Sequence, residues 1–227
     1  TPLMELVSEP DMHSAEEAVA FAKEFQLILR YLGVSDADLE RGQMRFDANV
    51  SVSAGKELGI RAEIKNLNSF GALESAVNYE IKRQTEILEE GEKVVQETRG
   101  WDDAKKLTVS QRSKEESHDY RYFPEPDLPP LTKDGFEIER LKLEIPELPN
   151  AKRKRFSEQF GLSLEKISVL IQDREISNYF EQAVSELEAD EQTEASAEKV
   201  KLILNYLTSD IKGVLMTKGI SLNQSKL

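Results

Sequence analysis

Two stretches in the first third of the chain alternate apolar and polar residues at every second position, and they constrain the fold more than any other feature. In MRFDANVSV, residues 44–52, the apolar residues are all at even positions. In GIRAEIKN, residues 59–66, the same alternation recurs. Successive side chains of a β-strand point to opposite faces, so both stretches are predicted to be half-buried strands. The linking SAGKELG is polar and contains glycine, which predicts an antiparallel hairpin.

Helical spacing flanks this hairpin. Residues 14–32, SAEEAVAFAKEFQLILRYL, carry apolar residues on one helical face. Ser14 and Glu17 match a capping box, and Gly33 stands where a C-cap glycine belongs. A second long helix is predicted near residues 69–90, followed by a short strand, KVVQETR. Four charged residues of this helix are expected to be exposed: Glu80, Lys82, Arg83 and Glu86.

The second half of the chain changes character. Four prolines between Phe123 and Pro130 exclude a helix interior there. Helical patterns then return at about 151–160, 163–172, 173–188 and 197–212. Strands followed by helices are typical of the α+β class. We therefore predict an antiparallel-sheet domain over residues 1–145 and an all-α domain over residues 146–227.

Composition excludes several kinds of function. The chain has no cysteine, which rules out disulfides, thiolate catalysis and cysteine-ligated metals and fits a reducing cytoplasm. Its net charge of −13 argues against general nucleic-acid binding, so RNA would have to be met by local basic patches or by another subunit. No stretch approaches the roughly 18 apolar residues that span a bilayer, so no membrane partner is expected. The chain starts at Thr1 without an initiator, and we expect it to be part of a longer protein.

The polar side of the hairpin carries a row of residues with chemical potential. Side chains two apart on one strand stand about 7 Å apart on the same face. One interpretation is a solvated face with cross-strand ion pairs. The other is a platform where a carboxylate holds Mg²⁺ while Arg and Lys hold phosphate oxygens. Spacing alone does not decide between them. The row consists of Arg45, Asp47, Asn49 and Ser51, with Arg61, Glu63 and Lys65 on the second strand.

Carboxylates also cluster near the start of the chain, at Glu5, Glu9 and Asp11. Mg²⁺ is usually held by one or two carboxylates together with phosphates and water. Acidic residues close to a helix start also cap it, and that interpretation suits Asp11. Glu5 lies between Met4 and Leu6, and a carboxylate buried there would need a partner or a metal.

The segment EIKNLNSF joins the second strand to the second helix. Asn68 or Ser69 is the predicted N-cap, and helix N-termini bind anions. A phosphate there would meet the charge of Lys65, the neighbouring Asn66 and free backbone N–H groups. Capping alone explains the same residues. The two histidines, His13 and His118, are interpreted as surface or capping residues.

Six blocks together resemble one family, the B subunits of aspartyl/glutamyl-tRNA(Asn/Gln) amidotransferase. The blocks cover residues 2 to about 131, in the family's order and near its spacings, and the last is highly specific. They are PLMELVSEPDM, MRFDANVSV, EIKNLNSF, YEIKRQTEILEEG, VVQETRGWD and DYRYFPEPDLPPL. The helical remainder matches more loosely.

This resemblance implies a partial catalytic cradle similar to glutamine synthetase, followed by a helical domain. It implies that ATP and Mg²⁺ are used to phosphorylate the side-chain carboxylate of Glu-tRNA(Gln) or Asp-tRNA(Asn). Ammonia from an amidase A subunit then displaces the phosphate, and the pair is supported by a small C subunit. The expected protein is thus a cytoplasmic ligase of protein biosynthesis that acts in a heterotrimer on aminoacyl-tRNA.

The resemblance also assigns roles to residues of this chain. Glu5 and Asp47 become metal ligands. Asp47, Arg45 and Lys65 become catalytic residues. The expected contacts to nucleotide or substrate are Arg45, Asn49, Ser51, Lys65, Asn66 and Ser69.

Some family features are missing from the sequence. The Gly-Leu-Glu-x-His strand, the His-x-Glu-Glu-Asp segment and the tail domain expected after Leu227 are absent, so we expect the isolated chain to be inactive. An alternative is a non-catalytic module that docks tRNA or another subunit, and the basic run KRKR at 152–155 favours it. A general ATP-grasp or kinase function is weakened because no glycine-rich phosphate loop is present.

Overall fold

The computed structural model describes residues 3–113, 126–130, 132, 135–191 and 197–225. The chain separates into two compact units, residues 1–137 and 138–227. The sequence-based boundary, between residues 145 and 146, falls slightly later along the chain. Most of the block DYRYFPEPDLPPL and His118 lie outside the described residues.

Among its described residues, the first unit combines a four-stranded sheet with two helices. The elements are α1 (Ala15–Leu32), β1 (Phe46–Val50), β2 (Ala62–Leu67), α2 (Phe70–Glu89), β3 (Glu97–Asp102) and β4 (Leu107–Ser113). The strands lie in the order β1-β2-β3-β4, and β1 with β2 forms the predicted antiparallel hairpin. The prediction of an antiparallel sheet is wrong at one pair, because β2 and β3 run parallel. Helix α2 connects these two strands, and such a crossover makes a parallel pair possible.

The ends of α1 confirm Ser14 as N-cap and Gly33 as C-cap, but not the reciprocal half of the predicted capping box, because the Glu17 carboxylate accepts the N–H of His13 at 2.6 Å. The Ser14 hydroxyl accepts the N–H of Glu17 at 3.1 Å. Gly33 adopts a left-handed conformation with φ 68°, and its N–H bonds to the carbonyl of Arg30 at 3.1 Å. Glycine reaches this conformation without a steric penalty, which ends the helix at this point.

One face of the sheet is apolar and covered by both helices. Val50, Ile64 and Leu67 pack with residues of α1 and α2 in a single buried cluster. The other face is polar. Its side chains include Asp47, Asn49, Glu63 and Lys65, which are exposed or half-buried. These four residues are called the open face below.

The regular elements among the described residues of the second unit are helices. Its buried core includes Phe156, Ile167, Leu170, Phe180 and Leu204. A π-helical turn, Tyr206–Ile211, joins the last two α-helices, Ala197–Asn205 and Lys212–Lys218. None of the described helices is long and apolar enough to cross a membrane. The helices are α3 (Ile138–Glu144), α4 (Pro149–Phe160), α5 (Leu164–Ile171), α6 (Arg174–Glu191), α7 (Ala197–Asn205) and α8 (Lys212–Lys218).

Candidate functional site

A β-bulge shapes the open face. Phe46 pairs with Leu67, and Ala48 pairs with Ile64, so Asp47 alone faces two residues of β2. The extra residue of a bulge shifts the alternation of the strand by one position. Leu67 consequently points into the core, with 1% of its surface exposed, while the two preceding residues are both exposed.

Asp47 closes this bulge through a backbone contact. Its Oδ1 accepts the N–H of Asn66 at 2.8 Å. Asn66 has φ 63°, in the left-handed region where asparagine is among the most tolerated residues after glycine. The carboxylate therefore supplies an acceptor for an N–H group in an unusual backbone conformation. Its second oxygen, Oδ2, lies 3.9 Å from Nζ of Lys65.

Lys65 lies between two carboxylates on the open face. Its Nζ is 3.4 Å from Oε1 of Glu63, in addition to the longer contact with Asp47. Oε2 of Glu63 accepts the hydroxyl of Thr98 at 3.2 Å. The Lys65 side chain is 47% exposed, so both ion pairs are partly solvated and individually weak. The ammonium group thus remains accessible to an anion from solvent.

The other predicted residues are spread around this centre. Asn49 lies opposite Glu63 in the hairpin. Ser51 follows the end of β1 and is half-buried, whereas Arg45 precedes β1 and is exposed. Ser69 is the N-cap of α2, since its hydroxyl accepts the N–H of Ala72 at 3.0 Å. The first turn of α2 carries no acidic residue that would neutralise its N-terminal dipole.

Glu5 lies in an extended segment without helix or strand. The expectation that Glu5 lies in a buried apolar segment is wrong, because Met4 is 63% and Leu6 49% exposed and Glu5 itself is exposed. Solvation removes the need for a partner. Within the described residues, no group of three or more His, Cys, Asp or Glu side chains is placed to hold a metal ion. The roles of Glu5 and Asp47 as ligands stay predictions.

A network of buried charged residues lies between α2 and the strands β3 and β4, and the sequence analysis did not predict it. Lys82 and Glu86 are exposed as expected, but Glu80 is completely buried and Arg83 largely so. Glu80 accepts hydrogen bonds from Arg83 at 2.5 Å and from the hydroxyl of Thr108 at 3.0 Å. The prediction of exposure was wrong because two neighbours of Glu80, Thr108 of β4 and Arg99 of β3, are distant in sequence.

The network also includes Arg99 of β3. Its Nε lies 3.5 Å from Oε2 of Glu80, and its guanidinium pairs closely with Glu97. Burial acts to raise the pKa of Glu80, but hydrogen bonds from Arg83, Gln84 and Thr108, with the Arg83 charge, outweigh it and lower that pKa. The same Glu80 contact raises the pKa of Arg83.

Gln84 connects this network to the end of β1. Its Nε2 donates to the carbonyl of Val50 at 3.0 Å, and its Oε1 accepts the N–H of Val52 at 2.9 Å. The same Nε2 lies 2.9 Å from Glu80. The side chain thereby satisfies the strand backbone on both sides of Ser51. One pattern in the sequence points to this burial: Glu80 and Gln84 continue the helical stripe of the buried Leu73, Ala76 and Val77.

The basic run at 152–155 offers less free charge than its sequence indicates. Lys152 is 4% exposed, and its Nζ lies 2.8 Å from Glu181. Arg155 bonds to Glu147 at 2.6 Å and to Glu181 at 2.5 Å. The hydrogen bond from Arg155 lowers the pKa of Glu147. Two of the four cations are thus neutralised within their own unit, which weakens the case for a docking module.

Comparison with known proteins gives a consistent result. The family described as the GatB/GatE catalytic domain matches residues 1–139. A protein of Azotobacter vinelandii is 49% identical over 228 residues, covering 99% of this chain and 45% of its own length. One of Crocosphaera subtropica is 47% identical over 223 residues, covering 97% of this chain and 43% of its own. One of Carboxydothermus hydrogenoformans is 52% identical over 184 residues, covering 80% of this chain and 38% of its own length.

All three relatives are named as B subunits of aspartyl/glutamyl-tRNA(Asn/Gln) amidotransferase. The chain spans less than half the length of each of them.

Proposed function

Because the chain belongs to the amidotransferase B-subunit family through its GatB/GatE catalytic domain, we propose that it acts in the two-step repair of mischarged aminoacyl-tRNA. The side-chain carboxylate of Glu-tRNA(Gln) or Asp-tRNA(Asn) is first phosphorylated by ATP. Ammonia then replaces the phosphate. In this proposal the chain contributes to a cytoplasmic ligase, with an amidase A subunit that releases ammonia and a small C subunit that supports the pair.

One observation supports this proposal above the others: Lys65 lies between two carboxylates on the open face, and its side chain is 47% exposed among the described residues. Lys65 is within the residues matched by the family. An ammonium with weak intramolecular pairs exchanges them for phosphate oxygens at little cost. Asn66 follows directly, and the N-terminus of α2 begins a few residues later.

The carboxylates fit a magnesium–nucleotide complex better than a bare ion. Mg²⁺ keeps several waters and needs only one or two protein carboxylates when phosphates complete its shell. We propose Glu5 and Asp47 as those carboxylates, with Oδ2 of Asp47 as the donor because Oδ1 already accepts the N–H of Asn66. When bound, the ion would neutralise charge on the phosphates.

The residues of the open face act mainly by charge and position. In the first step a bond forms between a carboxylate oxygen and the γ-phosphorus, and the bond to ADP breaks. Lys65 and Arg45 neutralise the transferred phosphoryl group, while Asn49, Ser51 and Ser69 bind nucleotide or substrate. In the second step nitrogen bonds to the acyl carbon, phosphate leaves, and the nitrogen loses a proton.

A segment exchange tests this function. Residues 1–227 replace the matching segment of the Azotobacter vinelandii B subunit. The resulting chimeric B subunit is then assembled with the A and C subunits from the same organism. Amidation of mischarged tRNA is measured with ATP, Mg²⁺ and ammonium chloride, which bypasses the glutamine reaction. We expect activity that depends on ATP, and we expect Lys65→Met to lower kcat by roughly 100-fold, the usual effect of removing one group that stabilises the transition state.

Lys82→Met is the matched control. Lys82 is 76% exposed on α2 and pairs only loosely with Glu86 at 3.8 Å, so its loss should change kcat less than about twofold. Equal activity of both variants would remove Lys65 from the mechanism. An exchanged enzyme that assembles but shows no ATP-dependent amidation would count against the proposed function itself.

A further inference from the structure

We propose that Asp47 is a positioning residue: it clamps the backbone of Asn66 and thereby presents Lys65 and Asn66 on the open face. The clamp is a property of the fold, whereas the identity of the bound anion, a magnesium–nucleotide, rests on the proposed function. The role is distinct from metal ligation, because it uses Oδ1 and a backbone N–H.

The bulge leaves a backbone group for such a clamp to hold. Its extra residue removes one N–H group from the regular ladder between β1 and β2. Asn66 also holds φ at 63°, which is uncommon for residues other than glycine but which asparagine tolerates better than most. Oδ1 of Asp47 accepts the N–H of Asn66 at 2.8 Å and so ties this residue to the partner strand.

The clamp fixes the register where the strand leads into α2. Leu67 is buried directly after the bulge, and Ser69 caps the helix two residues later. Regular alternation without the bulge would place Asn66 on the core side and Leu67 on the open side, so the bulge is what keeps Asn66 exposed beside Lys65. By holding the bulge, the carboxylate of Asp47 sets where Asn66 stands next to the ammonium of Lys65.

Two substitutions of Asp47 separate the clamp from the charge. Asp47→Asn keeps a carbonyl oxygen that accepts the N–H of Asn66, whereas Asp47→Ala removes the acceptor. Amide hydrogen exchange of Asn66 is measured by NMR in the 227-residue chain. We expect exchange to accelerate at least about 10-fold in Asp47→Ala and less than about threefold in Asp47→Asn, since an amide oxygen replaces the lost acceptor.

Asp38 provides the matched control. Its Oδ1 accepts the N–H of Glu40 at 2.9 Å in a loop of the same unit. Asp38→Ala should accelerate exchange at Glu40 and leave both Asn66 and Mg-ATP affinity unchanged. Unaltered exchange of Asn66 in Asp47→Ala would overturn the clamp.

The positioning role is tested by rescue. Mg-ATP is titrated into each variant and followed by amide shifts. Both substitutions remove the charge proposed to bind Mg²⁺ through Oδ2, and Asp47→Ala also removes the clamp. We therefore expect Asp47→Ala to weaken affinity about 10-fold more than Asp47→Asn does. Asn66→Gly added to Asp47→Ala should restore at least half of that difference, because glycine adopts a positive φ without support. No rescue, or equal losses in both Asp47 variants, would overturn positioning in favour of direct charge.

The two proposals fail in distinguishable ways. If the amide shifts of the unsubstituted chain do not change with Mg-ATP, the proposed binding of nucleotide is wrong. The proposed positioning of a phosphate ligand is then wrong as well. The exchange rates of Asn66 still decide whether Asp47 clamps the bulge, because they require no ligand.

Discussion

Replacing Glu80 with alanine removes the shared acceptor of the buried network behind the sheet. Glu80 has no exposed surface, and it receives hydrogen bonds from Arg83, Gln84 and Thr108. Arg99 lies 3.5 Å away. The substitution therefore leaves two largely buried guanidinium groups with less compensation.

The loss of stability in Glu80→Ala depends on which ion pairs remain for Arg83 and Arg99. Removing one partner of a buried ion pair costs about 3–5 kcal/mol, because the other charge stays buried. Glu97 still pairs with Arg99 and lies 3.8 Å from Arg83, so the lower end applies. We expect Glu80→Ala to lower the free energy of unfolding by about 3 kcal/mol. Glu80→Gln keeps the shape and one acceptor and should cost about 1.5–3 kcal/mol.

Urea unfolding followed by Trp101 fluorescence is the assay. Trp101 is the single tryptophan of the chain, and its ring lies 6.3 Å from that of Tyr79 on α2. Its emission therefore reports on the first unit. Glu86→Ala on the same helix is the control, because Glu86 is 59% exposed and its loss should cost less than about 0.5 kcal/mol.

The pH dependence gives an independent check. The folded-state pKa of Glu80 is lowered from its ordinary value of 4.5, so the unfolded chain binds the proton more readily. The stabilisation is complete above the unfolded pKa and is lost as pH falls through the folded pKa. The advantage of the unsubstituted chain over Glu80→Gln should therefore be constant near neutrality and shrink below about pH 4.5.

Two results would contradict a stabilising network centred on Glu80. A loss of less than about 1 kcal/mol in Glu80→Ala would mean that the network is not energetically coupled. Parallel pH curves for Glu80→Gln and the unsubstituted chain, followed well below the ordinary pKa of a glutamate, would mean that Glu80 is not the titrating group.

Three further changes test other parts of the fold. Ser69→Ala removes the N-cap of α2 and should cost about 1 kcal/mol in urea unfolding, and no loss would contradict the cap. Gly59→Ala should lower the free energy of unfolding by about 1–3 kcal/mol, since an added Cβ would stand 2.0 Å from the carbonyl oxygen of Val52. Gly55→Ala is the control, because a Cβ there meets only an ordinary van der Waals contact. Lys152→Ala should lower thermal stability of the second unit by several degrees, measured by calorimetry, because a buried charge pair is broken, and an unchanged transition would argue against that pair.

The sequence predicted the parts of the fold that depend on neighbouring residues. The caps Ser14, Gly33 and Ser69 and the hairpin of β1 and β2 are local features, and the structure confirms them. The family resemblance of the motif blocks is likewise confirmed.

Features that depend on distant partners were missed. The burial of Glu80 requires Arg99 and Thr108, which come from strands well after α2. The parallel pairing of β2 with β3 depends on where α2 packs. The bulge opposite Asp47 adds one residue to the otherwise regular alternation of β2, and only the spacing between Ile64 and Leu67 indicates it in the sequence.

The open face was predicted in composition but not in geometry. Alternation placed Asp47, Asn49, Glu63 and Lys65 on one side, and they do share it. It did not predict that Asp47 would accept the N–H of Asn66, because that contact exists only with the bulge. The exposure of Glu5 could not be predicted from its neighbours in sequence, since their burial depends on which other residues pack over them.

The most direct test of the central claim follows the oxygen atoms of the substrate. The side-chain carboxylate of the mischarged glutamyl-tRNA is labelled with ¹⁸O and converted by the exchanged enzyme with ATP, Mg²⁺ and ammonium chloride. If the carboxylate is phosphorylated before amidation, the released inorganic phosphate carries one ¹⁸O atom, as mass spectrometry will detect. Unlabelled phosphate released alongside the amide product would contradict the account.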